Sequence, residues 1–225
     1  MTYYPLYLNI ENRLCVVIGG GRVAERKITA LLEAGAKILV VSPFFTPRLM
    51  EYEANGRIDT FCTYYAAEFI EGASLIFAAT DNSTVNAQVL ADATQRGIPA
   101  NSADAPETGN FITPASIRRG DLLLSIATGG NTPALSAQIV RDLEAQFGAE
   151  YAAYVELLGQ KRDYVKEAAA NPQTRKAALV ALVDARAELL ELLRSGDAGA
   201  ADQHAAEIVE GALTLASRSD RTESP

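Results

Sequence analysis

The chain has 225 residues, is 48% hydrophobic and 21% charged, and carries a formal net charge of −8. That length admits a nucleotide-binding α/β domain with a smaller partner, while the acidic balance argues against a nucleic-acid partner, which more often meets a basic surface. No apolar run approaches the roughly 20 residues that cross a bilayer, and Met1-Thr2-Tyr3-Tyr4-Pro5-Leu6 lacks the basic and apolar regions of a signal peptide, so a cytoplasmic location and no membrane partner are expected.

Leu14-Cys15-Val16-Val17-Ile18 is a continuous apolar run of the kind buried on both faces of a parallel sheet. Gly19-Gly20-Gly21-Arg22-Val23-Ala24 follows it and opens a helix to Ala34, with Val23, Ile28, Leu31 and Leu32 able to share a face and Gly35 ending it. The loop fits G-x-G-x-x-G/A, with Gly19 for the tight turn, Gly21 for backbone approach to a pyrophosphate and Ala24 for close helix–strand packing. Arg22 and Val23 begin the helix whose N-terminal amides would face the phosphates. Between a buried strand and an amphipathic helix, this pattern predicts a dinucleotide site.

A second strand is expected over 38–41 and a helix over 46–54, with Thr46 as cap, Pro47 at the first helical position and Gly56 past the end. The second strand ends Val41-Ser42-Pro43-Phe44, without the acidic residue that commonly holds the ribose 2′-hydroxyl or the arginine that accepts a 2′-phosphate. Ser42 and the backbone of Pro43 and Phe44 are therefore the candidates on the adenosine side. A third strand is expected over 58–64 and a fourth over 75–79. A helix capped by Asn82 or Ser83 should run to Arg96, and a fifth strand over 98–101. Cys15 and Cys62 both fall in strand-like runs and are expected to be buried thiols; with His204 as the one histidine, no zinc-type site and no metal-binding residue is expected. Thr80, after the fourth strand, either lines the nicotinamide-ribose side or serves a helix-capping turn. The βαβα order predicts an α/β fold with a Rossmann-type, doubly wound parallel sheet.

The pattern then changes. Strands over 111–117 and 122–127, joined by Arg118-Arg119-Gly120-Asp121, read as an antiparallel hairpin. Thr132 is expected to cap a helix from Pro133 to Phe147, and helices over 152–170, 174–194 and 200–215 follow, with core-type apolar spacing at Ala178, Leu182, Leu189 and Leu193. The expected organisation is a dinucleotide-binding domain over 1–110, a hairpin-plus-helix region over 111–148, a helical domain over 149–217 and a frayed polar tail over 218–225.

Several stretches together resemble a known family. Pro5-Leu6-Tyr7, Val17 to Lys27, Ala78-Ala79-Thr80-Asp81, Asn101-Ser102-Ala103-Asp104-Ala105-Pro106, Phe111-Ile112-Thr113-Pro114-Ala115 and Thr128-Gly129-Gly130-Asn131-Thr132-Pro133 are similar to the start of the siroheme-synthase family. The combination resembles its precorrin-2 dehydrogenases, including bifunctional versions that are also sirohydrochlorin ferrochelatases. The resemblance implies NAD as cofactor, precorrin-2 as substrate, ferrous iron as a second substrate in bifunctional members, and a homodimer in which the hairpin takes part. It also implies that Asp104 is the acid/base residue. From the residues alone Asp104 stands equally well as a carboxylate at the ligand edge of the sheet or as an Asx-turn before Pro106.

Arg118 and Arg119 are either a solvated turn or bidentate partners for the carboxylates of precorrin-2, with Asn110, Phe111 and Thr113 as weaker candidates for the same wall. Gly129-Gly130 is either a second anion site at a helix start or a plain strand-to-helix turn. Some family members carry a phosphorylatable serine where this chain has Thr128. A non-enzymatic nucleotide-sensing module remains the remote alternative.

Overall fold

The computed structural model describes residues 2–222. The chain divides into two compact units, Met1–Thr113 and Pro114–Pro225. In the first, strands β1 (Leu14–Ile18), β2 (Lys37–Val41), β3 (Asp59–Phe61), β4 (Leu75–Ala78) and β5 (Ala100–Ser102) alternate with helices α1 (Arg22–Glu33), α2 (Pro47–Ala54) and α3 (Ser83–Gln95). All pairings are parallel, and the five-stranded sheet has the order β3-β2-β1-β4-β5. The expected Rossmann-type sheet is therefore what forms.

Strand alternation explains why the apolar runs are continuous. Cys15 and Val17 of β1 face one core layer with Ala24, Ile28 and Leu31 of α1 and Leu49 of α2. Val16 and Ile18 face the opposite layer with Val89, Leu90 and Ala93 of α3. Both faces of the central strands are thus covered, and burying each such side chain contributes roughly 1.5–3 kcal/mol. The caps work as read: Thr46 accepts a hydrogen bond from the Leu49 amide, and Asn82 accepts from Thr84 and Val85.

At the sheet edge the sequence reading needs correction. The run over 58–64 pairs with β2 for three residues only, so Cys62 falls beyond the strand and is exposed, whereas Cys15 is buried. Burial pushes the Cys15 thiol up to about 11.

The second unit begins with β6 (Ala115–Arg119) and β7 (Leu122–Ile126), an antiparallel pair with Arg119 opposite Leu122. The strand expected from Phe111 starts at Ala115 instead; Pro114 has no N–H to give a ladder, and the Phe111 carbonyl accepts from Asn101 Nδ2 at 3.0 Å. The loop is only Gly120-Asp121, with Gly120 at φ 58, as a tight hairpin turn requires. Arg118 and Arg119 therefore lie in β6, not in the turn.

Helices α4 (Pro133–Gln146), α5 (Glu150–Ala168), α6 (Pro172–Asp184), α7 (Arg186–Arg194) and α8 (Ala198–Thr222) complete the unit. Thr132 makes no side-chain cap; its own amide donates to Thr128 Oγ1 at 3.3 Å. The single helix expected over 174–194 breaks at Ala185, and the break lets Leu182, Leu189 and Leu190 all enter one core with Tyr154, Val165 and Ala205. Helix α8 continues to Thr222, past the start of the expected tail, whose last three residues lie outside the described ones. Among the described residues, no helix is long and apolar enough to cross a membrane.

Candidate functional site

The sheet order reverses between β1 and β4, and ligands of such sheets bind beyond the carboxyl ends of the strands at that point. Gly19 follows β1 there. Its φ is +120, and a Cβ on it would lie 2.3 Å from the Ala79 carbonyl oxygen and 3.1 Å from the Thr80 amide nitrogen. Only glycine fits against the end of β4 in that conformation. At Gly20 a Cβ would lie 2.0 Å from the Phe44 carbonyl oxygen. At Gly21, by contrast, an added Cβ would meet nothing within 4 Å. The turn is thus packed hard against protein at its first two glycines and open at its third.

Gly21 is also the N-cap of α1 and supplies no side-chain cap. The amides at the start of a helix lack intrahelical partners and carry the positive end of its dipole. They adjoin a cleft of about 540 Å³ lined by Arg22, Val23, Glu25, Arg26, Thr46, Pro47 and Arg48. An open approach, unsatisfied amides and arginines around one cleft fit a dinucleotide pyrophosphate.

The remaining candidates on this unit fall in different places. Pro43 and Phe44 are exposed, the latter 57%, at the end of β2. Ser42 is buried, and its hydroxyl accepts from the Phe44 amide at 3.4 Å, so it serves the turn. Thr80 is half-buried, and its hydroxyl donates to Asn86 Oδ1 at 2.7 Å. Asn110 Oδ1 accepts from the Ala100 amide at 3.0 Å, which fixes the start of β5. The Phe111 ring meets Phe77 edge-on, 5.3 Å between centroids. Arg118 and Arg119 belong to the second unit, where Arg119 Nε donates to the Phe147 carbonyl at 3.0 Å.

Asp104 sits two residues past β5 and is exposed. Ser102 Oγ donates to its Oδ1. That hydroxyl is the main reason the carboxyl is held below its ordinary range; desolvation opposes it, and smaller contributions from Asn86 and the N–H groups of Asp104 and Ala105 assist. No Asx-turn can form to the next residue but one, because Pro106 has no N–H to donate.

Three residues that sequence reasoning left without a role belong to this edge. Asn86 and Ser102 are each 1% exposed. Asn86 shares the helical stripe of Val89, Leu90 and Ala93, and a lone amide in an apolar stripe is the signal that marks it. The third is Lys27, whose ammonium lies 5.4 Å from the Phe77 ring centroid and donates to Thr113 Oγ1; burial, then the neighbouring Arg26 charge, pulls its pKa down.

A family model described as "Putative NAD(P)-binding" matches residues 6–115. A siroheme synthase of Methylobacillus flagellatus is 35% identical over 176 residues, covering 78% of this chain and 38% of that protein. Siroheme synthase 3 of Aeromonas hydrophila is 37% identical over 203 residues, covering 90% and 43%. The solved structure of SirC, a precorrin-2 dehydrogenase, superposes with a TM-score of 0.71 at 26% identity, covering 91% of this chain and 100% of that one. Over most of its length the chain is similar to siroheme synthases and to a precorrin-2 dehydrogenase. It spans about two fifths of the length of the curated relatives named here. Its first unit coincides with the match to the NAD(P)-binding family model, which supports a nicotinamide cofactor.

Proposed function

We propose that this chain oxidises precorrin-2 to sirohydrochlorin with NAD as the hydride acceptor, a step of siroheme biosynthesis. The observation that carries the reading is an exposed Asp104 carboxylate two residues past β5, on the same sheet edge as the glycine turn. The likeness to a precorrin-2 dehydrogenase along its whole length supports the choice of substrate.

A bound nicotinamide supplies the acceptor for the hydride. The chain's residues do the rest. The amides of Arg22, Val23 and Ala24 bind the pyrophosphate, and Gly21 keeps their approach open. Pro43 and Phe44 flank the adenosine, and Thr80 borders the nicotinamide ribose. Asp104 accepts the proton that leaves the tetrapyrrole as the hydride departs, so the ring loses one hydride and one proton in all. Arg118 and Arg119 are the proposed partners of substrate carboxylates on the second unit, and Asn110 and Phe111 are substrate candidates on the first. NAD as the acceptor follows the family resemblance, since the cleft itself sets Arg22, Arg26 and Arg48 against Glu25. We also propose a homodimer formed through the β6–β7 hairpin, as the family resemblance implies.

The test is the purified chain with enzymatically prepared precorrin-2 and NAD or NADP. Formation of NADH is the expected result; no reduced cofactor from either dinucleotide overturns the reading. A second reading adds iron insertion: the relatives are named siroheme synthases, and an ionised Asp104 suits removal of pyrrole protons as ferrous iron enters. Sirohydrochlorin with ferrous iron, with and without the chain, tests it. An unaccelerated reaction removes the second activity and leaves the first.

A further inference from the structure

The cleft beside the glycine turn carries more positive charge than a pyrophosphate on helix amides calls for. Arg22 and Arg26 line it from successive turns of α1, and Arg48 lines it from the first turn of α2. Glu25 is the one carboxylate on its wall among the described residues. It does not cancel the arginines. Its Oε2 accepts from the Thr46 hydroxyl at 2.7 Å, and its Oε1 lies 3.8 Å from Arg48 Nη1, too far for a hydrogen bond.

Arg48 is also held in place. Its Nε donates to the hydroxyl of the buried Tyr52 at 2.9 Å, and its guanidinium carbon lies 5.4 Å from the ring centroid. Fixing a long exposed side chain costs entropy. Anchored at Nε, Arg48 keeps its terminal nitrogens as a pre-set fork of the kind that binds phosphate oxygens.

The place of the cleft says which phosphate it suits. In a sheet of this order the adenosine ribose lies by the loop after β2. That loop is tied to the glycine turn: the Thr46 amide donates to the Gly20 carbonyl at 3.0 Å. Thr46 and Pro47, at the far end of the same loop, line the arginine cleft. The cleft therefore adjoins the ribose side, while the amides at the start of α1 serve the pyrophosphate. No acidic side chain stands at Ser42-Pro43-Phe44 to repel a phosphate on the ribose. No arginine follows β2 directly, but the fold brings three to that side from α1 and α2.

We propose that Arg22, Arg26 and Arg48 form a subsite for a ribose 2′-phosphate, so that the chain takes NADP as well as NAD. The inference rests on the glycine turn as the dinucleotide site and leaves the oxidation itself unchanged. A phosphate monoester carries roughly −1.5 to −2 charge at pH 7, which meets the surplus of arginine over carboxylate in the cleft. The 2′-hydroxyl of NAD makes no use of that surplus.

Isothermal titration of the purified chain with NAD and with NADP, in the absence of tetrapyrrole, tests it in the parent, Arg48→Ala and Glu25→Gln. The parent should bind NADP at least as tightly as NAD, and added salt should weaken NADP binding more steeply. Arg48→Ala should raise the Kd for NADP about 10-fold more than the Kd for NAD, as the loss of one charge-assisted hydrogen bond requires. Glu25→Gln removes the opposing charge and keeps an acceptor for Thr46; it should lower the ratio of the NADP Kd to the NAD Kd about threefold. Each reading is a ratio within one protein, so a partial loss of stability in a variant does not disturb it. Weaker binding of NADP than of NAD by the parent overturns the inference, as does a ratio unmoved in either variant; both results leave the dehydrogenase reading standing. A parent that binds neither dinucleotide overturns the cofactor reading and the inference together.

Discussion

The glycine turn makes opposite predictions for neighbouring residues. At Gly20 an added Cβ lies 2.0 Å from the Phe44 carbonyl oxygen and 3.0 Å from Ser42 Oγ. The first of these is backbone, so the β1–α1 and β2–α2 turns must part. Overpacking of that kind costs about 1–3 kcal/mol, which at roughly 2–4 °C per kcal/mol for a chain of this size lowers the melting temperature of Gly20→Ala by about 2–12 °C. At Gly21 the backbone has φ −86 and a Cβ meets nothing within 4 Å. Gly21→Val should therefore cost only about 1 kcal/mol, the penalty of a poor N-cap, and no overpacking. Its side chain instead occupies the space through which the pyrophosphate reaches the amides of α1. A hydrogen bond to a charged group contributes about 1.5–3 kcal/mol, so loss of one or two raises the Kd for NAD by roughly 10- to 1,000-fold or more. Isothermal titration with NAD, beside a thermal melt of each variant, measures both quantities. A Gly21→Val protein that binds NAD within threefold of the parent refutes the placement of the pyrophosphate. A Gly20→Ala protein that melts with the parent refutes the packing argument.

Asp104→Ala should abolish precorrin-2 turnover and leave the Kd for NAD within twofold; lost NAD binding would assign Asp104 to the turn alone. Because the folded carboxyl lies below its ordinary 3.8, the group stays ionised from neutral pH down past that value, so its small stabilising effect is present above the unfolded pKa and disappears only as pH falls through the folded one. The acid limb that Asp104 gives kcat/KM should accordingly lie below 3.8, and a limb above it would point to another base. Native thiol titration should find one reactive cysteine, because Cys62 is exposed and Cys15 is buried with its thiol raised to about 11; the signal should vanish in Cys62→Ser. Leu182→Ala, at a fully buried position of the helical unit, should cost about 2–5 kcal/mol in urea unfolding of that unit, and a change below 1 kcal/mol would remove Leu182 from its core.

The sequence by itself determined what is local. The apolar run of β1, the glycine turn and the start of α1 could be read because each obeys a short-range rule: a buried strand alternates between two layers, and a turn against backbone excludes a Cβ. The parallel sheet followed from their alternation, and the caps at Thr46 and Asn82 from their spacing.

Tertiary structure decided whatever depends on a partner distant along the chain. The run over 58–64 has strand composition, yet only three residues pair, because an edge strand is held from one side. The break at Ala185 has no proline or glycine to announce it; packing of Leu182 and Leu189 into one core places it there. Thr132 has the composition of a cap and makes none, since Thr128 takes its amide. Asp104 could be named as a candidate in advance, but its electrostatic state could not. That state comes first from the Ser102 hydroxyl, two residues back at the end of β5, set against desolvation that only the folded environment decides.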